Sequence, residues 1–305
     1  KHGYELSTQD INPISESELI IYGSNMPDIL PTKDDVDKSY LILSESHFIK
    51  PENYDQKKHD FFNKIFTWAD DLVDNKKYFK LNYAHLFPDE IKIGTKHKKN
   101  LCTLISANKS APHTVEGDLY EERKNAIRWF EKYHPSEFDL YGVNWDKYRF
   151  SGPLVIRAFN RFPLFCSFYQ KITRNTFPSY KGMVSSKNLV MENYKFSICY
   201  ENAKDIPGYI TEKLFDSFFA GCVPIYLGAN NVTDHIPANC FVDKREFHSY
   251  EDLYQFMNEM SDETYIGYLN NIQDFLINAE SRPFKSEGFV ETIVKNVLGI
   301  NYDYK

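Results

Sequence analysis

Apolar residues recur along this chain in two rhythms, short runs and helical stripes, and the two take turns. Runs at 3–6, 19–22, 40–43 and 64–68 predict strands in the first part, with a polar, partly helical stretch at 53–63. Further runs at 101–106, 138–141, 196–200, 223–227 and 241–242 predict strands in the remainder. Spacing near 3.6 residues predicts helices over 119–133, 249–260 and 262–278. Such alternation predicts an α/β chain with parallel, doubly wound sheets. The lysine-rich segment 91–100 reads as an exposed linker and sets the expected boundary. It gives an N-terminal domain over 1–95, a second domain over 96–285, and a closing segment 286–305 expected to pack back on the first.

The most informative stretch is 194–228, YKFSICYENAKDIPGYITEKLFDSFFAGCVPIYLG, which reads strand, loop, helix, strand. Thr211 is placed to cap a helix carrying Glu212 in its first turn and Leu214, Phe215, Phe218 and Phe219 on its apolar face. Gly221 is placed to end that helix in a left-handed cap. A helix N-terminus at the carboxyl end of a strand presents unpaired amides and a favourable dipole to an anion. Lys213 adds a cation there, and Glu212 an acceptor suited to sugar hydroxyls. The same pattern also fits a plain structural helix capped by Thr211, with Lys213 in solvent. At the ends of earlier strands stand Glu45 and the pair Asp70 and Asp71, where open sheets bind ligands.

Composition narrows the field. The 305 residues include 42% hydrophobic and 16% aromatic residues, which suits folded domains. A net charge of −7 does not point to a nucleic-acid partner. The five cysteines show no CxxC spacing, so buried free thiols are expected rather than a disulfide frame or a zinc site. Asn108 and Asn231 each begin a glycosylation triplet, a pattern frequent by chance. No run is long enough to span a bilayer and no signal peptide is visible. The first residue is Lys and the opening pattern looks like mid-domain, so a preceding strand, anchor or targeting segment is expected. The expected setting is cytoplasmic or peripheral at a membrane, or the Golgi lumen if a preceding anchor exists.

Between the predicted units, segment 151–182 interleaves Arg157, Arg161, Lys171 and Arg174 with Phe159, Phe162, Phe165, Phe168 and Tyr169. Two readings stand: an interfacial surface for anionic lipid or a lipid-linked acceptor, or a packed crossover with basic side chains in solvent. The second is the expectation, because the hydrophobic positions can serve the core.

The block 194–228 resembles the GDP-fucose-dependent α1,3-fucosyltransferases of glycosyltransferase family 10. The likeness rests on YKF-x-x-C-x-EN, GYITEK and PIY-x-G in that order, and weaker similarity extends back through 101–123 to Glu45. It implies a GT-B fold, two Rossmann-like domains with donor and acceptor meeting between them, and inversion at the fucose anomeric carbon. It implies that Glu212 holds the donor ribose, that Lys213 contacts the phosphates, and that Tyr209 flanks the nucleotide or pyrophosphate. Glu201 and Asn202 would lie near sugar and phosphates. The family's phosphate-binding Arg falls on Arg123, with Arg128 as the alternative. Its general base falls on Glu45, with Glu52 competing.

Cationic side chains already offer leaving-group stabilisation, so no cofactor is required; Asp70 and Asp71 leave a Mn²⁺ or Mg²⁺ ion open without implying one. The expected partners are GDP-fucose and an oligosaccharide or glycolipid acceptor, with peripheral membrane contact open. Rival readings are a GT-B transferase of another GDP-deoxysugar and a non-catalytic nucleotide-sugar or glycan-binding module.

Overall fold

A computed structural model describes residues 3–110, 117–148, 150, 154–173 and 176–300. The chain divides into two compact units, Lys1–Tyr83 with Glu287–Lys305, and Ala84–Ser286.

The first unit is built on strands β1 (Ile20–Tyr22), β2 (Ser39–Leu43), β3 (Lys64–Thr67) and β4 (Tyr78–Lys80), all parallel in the order β1-β2-β3-β4. Buried Leu41, Leu43, Phe62 and Ile65 fill one face, beside Met26. Tyr40, Phe66 and Leu81 fill the other, and Phe289, Ile293 and Val297, at helical spacing, cover them. A short helix, α1 (Gln56–His59), supplies His59, whose Nε2 meets the Asn53 carbonyl at 2.8 Å and whose Nδ1 meets the Tyr78 hydroxyl at 2.9 Å. The expected strand at 3–6 is absent. Residues 3–8 have no regular structure, and Tyr4 and Leu6 are exposed, because no neighbouring strand pairs with them. β4 has no counterpart in the apolar pattern: it is only half buried and its entry is made by polar residues. There Asp74 accepts three backbone N–H bonds, from Lys76, Lys77 and Tyr78.

The second unit is built on β5 (Asn100–Ile105), β6 (Phe138–Tyr141), β7 (Tyr194–Tyr200), β8 (Val223–Leu227) and β9 (Val242–Asp243). All pairs are parallel and the order is β6-β5-β7-β8-β9. Continuous apolar runs in β7 and β8 match a sheet covered on both faces. Helices α2 (Tyr120–Tyr133), α3 (Leu154–Arg157), α4 (Pro163–Thr173), α5 (Lys187–Met191), α6 (Glu212–Phe219), α7 (Tyr250–Glu259) and α8 (Asp262–Ile277) follow in this unit. Ala126, Ile127 and Phe130 of α2, Leu214, Phe215 and Phe218 of α6, and Leu269 and Ile272 of α8 join one core. The last helix, α9 (Ser286–Leu298), supplies the apolar cover of the first unit's sheet.

Two expectations change here. The expected linker 91–100 is instead part of the second unit, which begins at Ala84. His85 donates its N–H to the Phe284 carbonyl at 2.9 Å and stacks on Phe215 at 4.5 Å, and Phe87 packs on Phe215 and Phe219. Ile91 is buried and Lys92 pairs with Glu192. The apolar and aromatic residues ahead of the lysines, His85, Phe87 and Ile91, decide the outcome. The helices of segment 151–182 are not a packed crossover either: among the described side chains of α3 and α4 only Cys166 is buried, while Phe162, Leu164, Phe168 and Ile172 lie in solvent. Arg174 and the Lys171 side chain lie outside the described residues.

Lys92 also explains Gly221. This residue ends α6 at φ +58°, and a Cβ there would lie 2.4 Å from the Lys92 carbonyl oxygen. Gly221→Ala is therefore expected to destabilise the second unit by about 2 kcal/mol, read as a lowered urea midpoint at unchanged slope. An unshifted midpoint would show that segment 84–100 yields freely.

Candidate functional site

In the second unit the strand order reverses at β5 and β7: β6 lies on one side of β5 and the later strands on the other. Open parallel sheets bind ligands outside the carboxyl ends of strands at such a point. An opening with about 340 Å³ of empty space, partly open to solvent, lies there. Its walls come from the end of β5 (Leu104 to Ser106), the end of β7 (Ser197 to Tyr200), and Arg123, Lys187, Lys213 and Asp216.

The network under this opening centres on Glu201, which is fully buried. Its carboxylate accepts from the Thr211 N–H at 2.8 Å and from the Thr211 hydroxyl at 2.7 Å, and pairs with Lys213 Nζ at 3.2 Å. A Cβ on Gly228 would fall 2.5 Å from Glu201 Cγ and 2.4 Å from the Tyr226 hydroxyl, so glycine is what lets this side chain lie flat. Thr211 sits at the N-cap position of α6, yet its side chain makes no cap bond. The Glu201 carboxylate is the stronger acceptor and takes the hydroxyl proton. The amides of the first α6 turn are thus left without a cap from Thr211, which an anion site favours.

Arg123 is buried in α2. It donates from Nε and Nη2 to the Tyr200 carbonyl at 3.1 and 2.7 Å, and from Nη2 to the Glu201 carbonyl at 2.6 Å and Asn202 Oδ1 at 2.9 Å. Its guanidinium also lies over the Tyr120 ring. Asn202 Nδ2 passes the chain on to the Tyr209 hydroxyl at 3.2 Å. Burial pulls the Arg123 pKa below its ordinary value. The residue braces the end of β7 while one side of it faces the opening. Tyr209, expected beside the nucleotide, is buried, and its carbonyl accepts from the Tyr226 hydroxyl at 3.2 Å.

Lys213 and Glu212 stand at the mouth, both partly exposed. Burial alone would lower the Lys213 pKa, but Glu201 and Glu212 outweigh it and leave it raised. Burial alone would raise that of Glu212, but Lys213 and Lys187 leave it lowered. Glu212 loses its charge only as pH falls through that lowered value, and Lys213 only as pH rises through its raised one. Both are charged throughout the neutral range.

Lys187 and Asp216 were not evident beforehand. Lys187 Nζ lies 2.7 Å from Asp216 and 4.0 Å from Glu212. Asp216 follows Glu212 by one helical turn, a spacing that could have marked it; nothing local marks Lys187. Arg128 is engaged elsewhere, with Glu131 at 2.7 Å and the Phe177 ring at 3.8 Å.

Residues 158–290 match the family profile described as "Glycosyltransferase family 10 (fucosyltransferase) C-term". That match covers less than half of the chain. The chain is 37% identical over 103 residues to mouse 4-galactosyl-N-acetylglucosaminide 3-alpha-L-fucosyltransferase 9, covering 31% of this chain and 28% of that one. It is 30% identical over 121 residues to Helicobacter pylori alpha-(1,3)-fucosyltransferase FucT, covering 37% and 25%. The matched stretch thus spans under a third of these relatives. A solved α1,3-fucosyltransferase superposes with TM-score 0.50 at 14% identity over 93% of this chain and 78% of that one. Anabaena HepE in complex with UDP and glucose does so with TM-score 0.54 at 10% identity over 86% and 72%. These likenesses give the fold, α/β of the GT-B kind. Glu201, Thr211 and Lys213 lie inside the segment that matches the family 10 profile.

In the first unit, Glu45 follows β2 directly and is half buried. Its carbonyl accepts from Asn53 Nδ2 at 3.1 Å; the same amide also meets Asn25 Oδ1 at 2.7 Å, and Asn53 Oδ1 accepts from the Met26 N–H at 2.9 Å. Ser44 beside it accepts from the Trp68 indole at 2.7 Å and from the Tyr83 hydroxyl. Buried Asn53, unmarked in the sequence, therefore fixes the strand ends that carry Glu45. Glu52 is exposed in a 3₁₀ turn. Asp70 pairs with Lys80 at 2.5 Å, and among the described residues no group of three or more His, Cys, Asp or Glu could hold a metal ion.

Proposed function

We propose that this chain carries the catalytic parts of an inverting fucosyltransferase, which moves L-fucose from GDP-fucose to a glycan hydroxyl and forms an α1,3 linkage to a GlcNAc-type residue. The observation that carries it is the α6 N-terminus, left without a cap from Thr211 at the strand-order reversal, with Lys213 and Glu212 at its mouth, inside the segment that matches the family 10 profile. The α6 amides and Lys213 meet the diphosphate and stabilise the charge that develops on GDP as it leaves. Glu212 accepts from the ribose hydroxyls. Arg123, Asn202 and Glu201 keep the strand end and the helix start in place. Glu45 takes the proton of the attacking hydroxyl. Attack on the face opposite the β-linked GDP yields the α-linked product in one displacement.

Product analysis after incubation with a panel of GDP-sugars and glycan acceptors tests the reading. The expected result is GDP release that needs both GDP-fucose and an N-acetyllactosamine-type acceptor, with an α1,3 linkage by NMR. A preference for another GDP-sugar would sink the donor assignment, and GDP binding without turnover would make the chain a binding module. In Lys213→Ala, GDP affinity should fall at least about tenfold and turnover about 10²-fold. Calorimetry and a GDP-release assay read the two separately, and an unchanged pair of values would remove Lys213 from the phosphate site.

A further inference from the structure

The α3–α4 segment buries little of its apolar surface. Leu164, Phe168 and Ile172 recur every four residues on one face of α4 and are 88%, 63% and 65% exposed. Val155 in α3 and Phe162 before α4 extend the patch at 78% and 62% exposed. Another side of the pair packs within the segment itself. The Asn160 amide donates to the Phe150 carbonyl at 2.9 Å and accepts from its N–H at 2.8 Å, and the Phe150 ring packs on Phe159, Phe165 and Tyr169. These contacts use side chains other than Leu164, Phe168 and Ile172, which stay exposed.

Charge says what covers it. Between Asp146 and Glu192 the sequence has eight Lys and Arg and no Asp or Glu, in a chain whose net charge is −7. Arg157 and Arg161 stand exposed beside the apolar face. A monomer rarely leaves so continuous a patch bare. Apolar side chains rimmed by basic ones suit the boundary between acyl chains and anionic headgroups. At 11 residues, α4 is only about 16 Å long, about half of a bilayer core, so it lies in the surface. We infer that α3–α4 is a docking surface for an anionic lipid bilayer, with Leu164, Phe168 and Ile172 inserted and Arg157 and Arg161 at the headgroups.

Co-sedimentation of the 305-residue chain with vesicles tests this. Binding is expected to vesicles of phosphatidylcholine mixed with phosphatidylglycerol, and little to phosphatidylcholine alone. The triple variant Leu164→Ser, Phe168→Ser, Ile172→Ser should lower the partition coefficient at least about a hundredfold. Arg157→Gln with Arg161→Gln should lower it roughly thirtyfold, an effect that added salt mimics. GDP binding and far-UV dichroism, unchanged in both variants, show that the fold is kept. Equal binding to both vesicle types, or wild-type binding by the triple variant, would overturn the inference. So would concentration-dependent dimerisation without vesicle binding, which would make a second copy the occupant.

Discussion

Glu201→Ala is expected to destabilise the second unit by about 3–5 kcal/mol, the range for removing one partner of a buried ion pair. The carboxylate is fully buried, and two oxygens serve three donors: the Thr211 N–H, the Thr211 hydroxyl and the Lys213 ammonium. Alanine leaves all three facing a void, with Glu212, 3.6 Å away, and the Thr211 hydroxyl oxygen, 3.0 Å away, to hold Lys213. Each unsatisfied buried group adds its desolvation cost. Glu201→Gln keeps an acceptor for the Thr211 N–H but loses the charge, so its loss should be smaller than that of alanine. Urea unfolding of the three proteins reads the order. If Glu201→Ala unfolded at the wild-type midpoint, the carboxylate would not be the centre of this network.

That network marks where the sequence stops being readable. The strands of both sheets could be placed from apolar runs because parallel strands covered on two faces are apolar throughout, as in β7 and β8. β4 escaped because a half-exposed edge strand of three residues leaves no such run. At the site, the order of Glu201, Thr211, Glu212 and Lys213 announced a helix start meeting a strand end. The directions of the side chains did not follow from it. Whether Thr211 caps α6 depends on a competing acceptor ten residues upstream, and that competition is settled by packing against Gly228. Arg123 turns inward because the carbonyls at the end of β7 need partners, and the Tyr209 hydroxyl turns in to meet the Asn202 amide. The residues that the family resemblance assigns to the donor divide into a buried frame, of which Arg123 also faces the opening, and the two displayed at its mouth, Glu212 and Lys213. Lys187 reached the same opening from the start of the short helix α5, with no motif to mark it.

On the proposed function, Glu45→Gln should lower turnover about 10²–10⁴-fold while leaving GDP affinity near wild type. Glutamine keeps the size and the half-buried setting but cannot take a proton. The contacts proposed for ribose and phosphates belong to the other unit, so donor binding has no cause to change. The Glu45 backbone is fixed by Asn53 and by the bonds at Ser44, which the substitution leaves untouched. Loss of stability is therefore not an expected route to lost activity, and a matching thermal midpoint checks that. Asn53→Ala should act less directly: it removes the bonds to Asn25, Met26 and the Glu45 carbonyl, lowering stability together with turnover. Glu52→Gln, exposed in its turn, should leave the rate nearly unchanged. Single-turnover measurements at saturating GDP-fucose separate chemistry from binding. Near-wild-type chemistry in Glu45→Gln alongside a large loss in Glu52→Gln would transfer the base to Glu52. Near-wild-type rates in both would take the proton acceptor away from this strand end altogether.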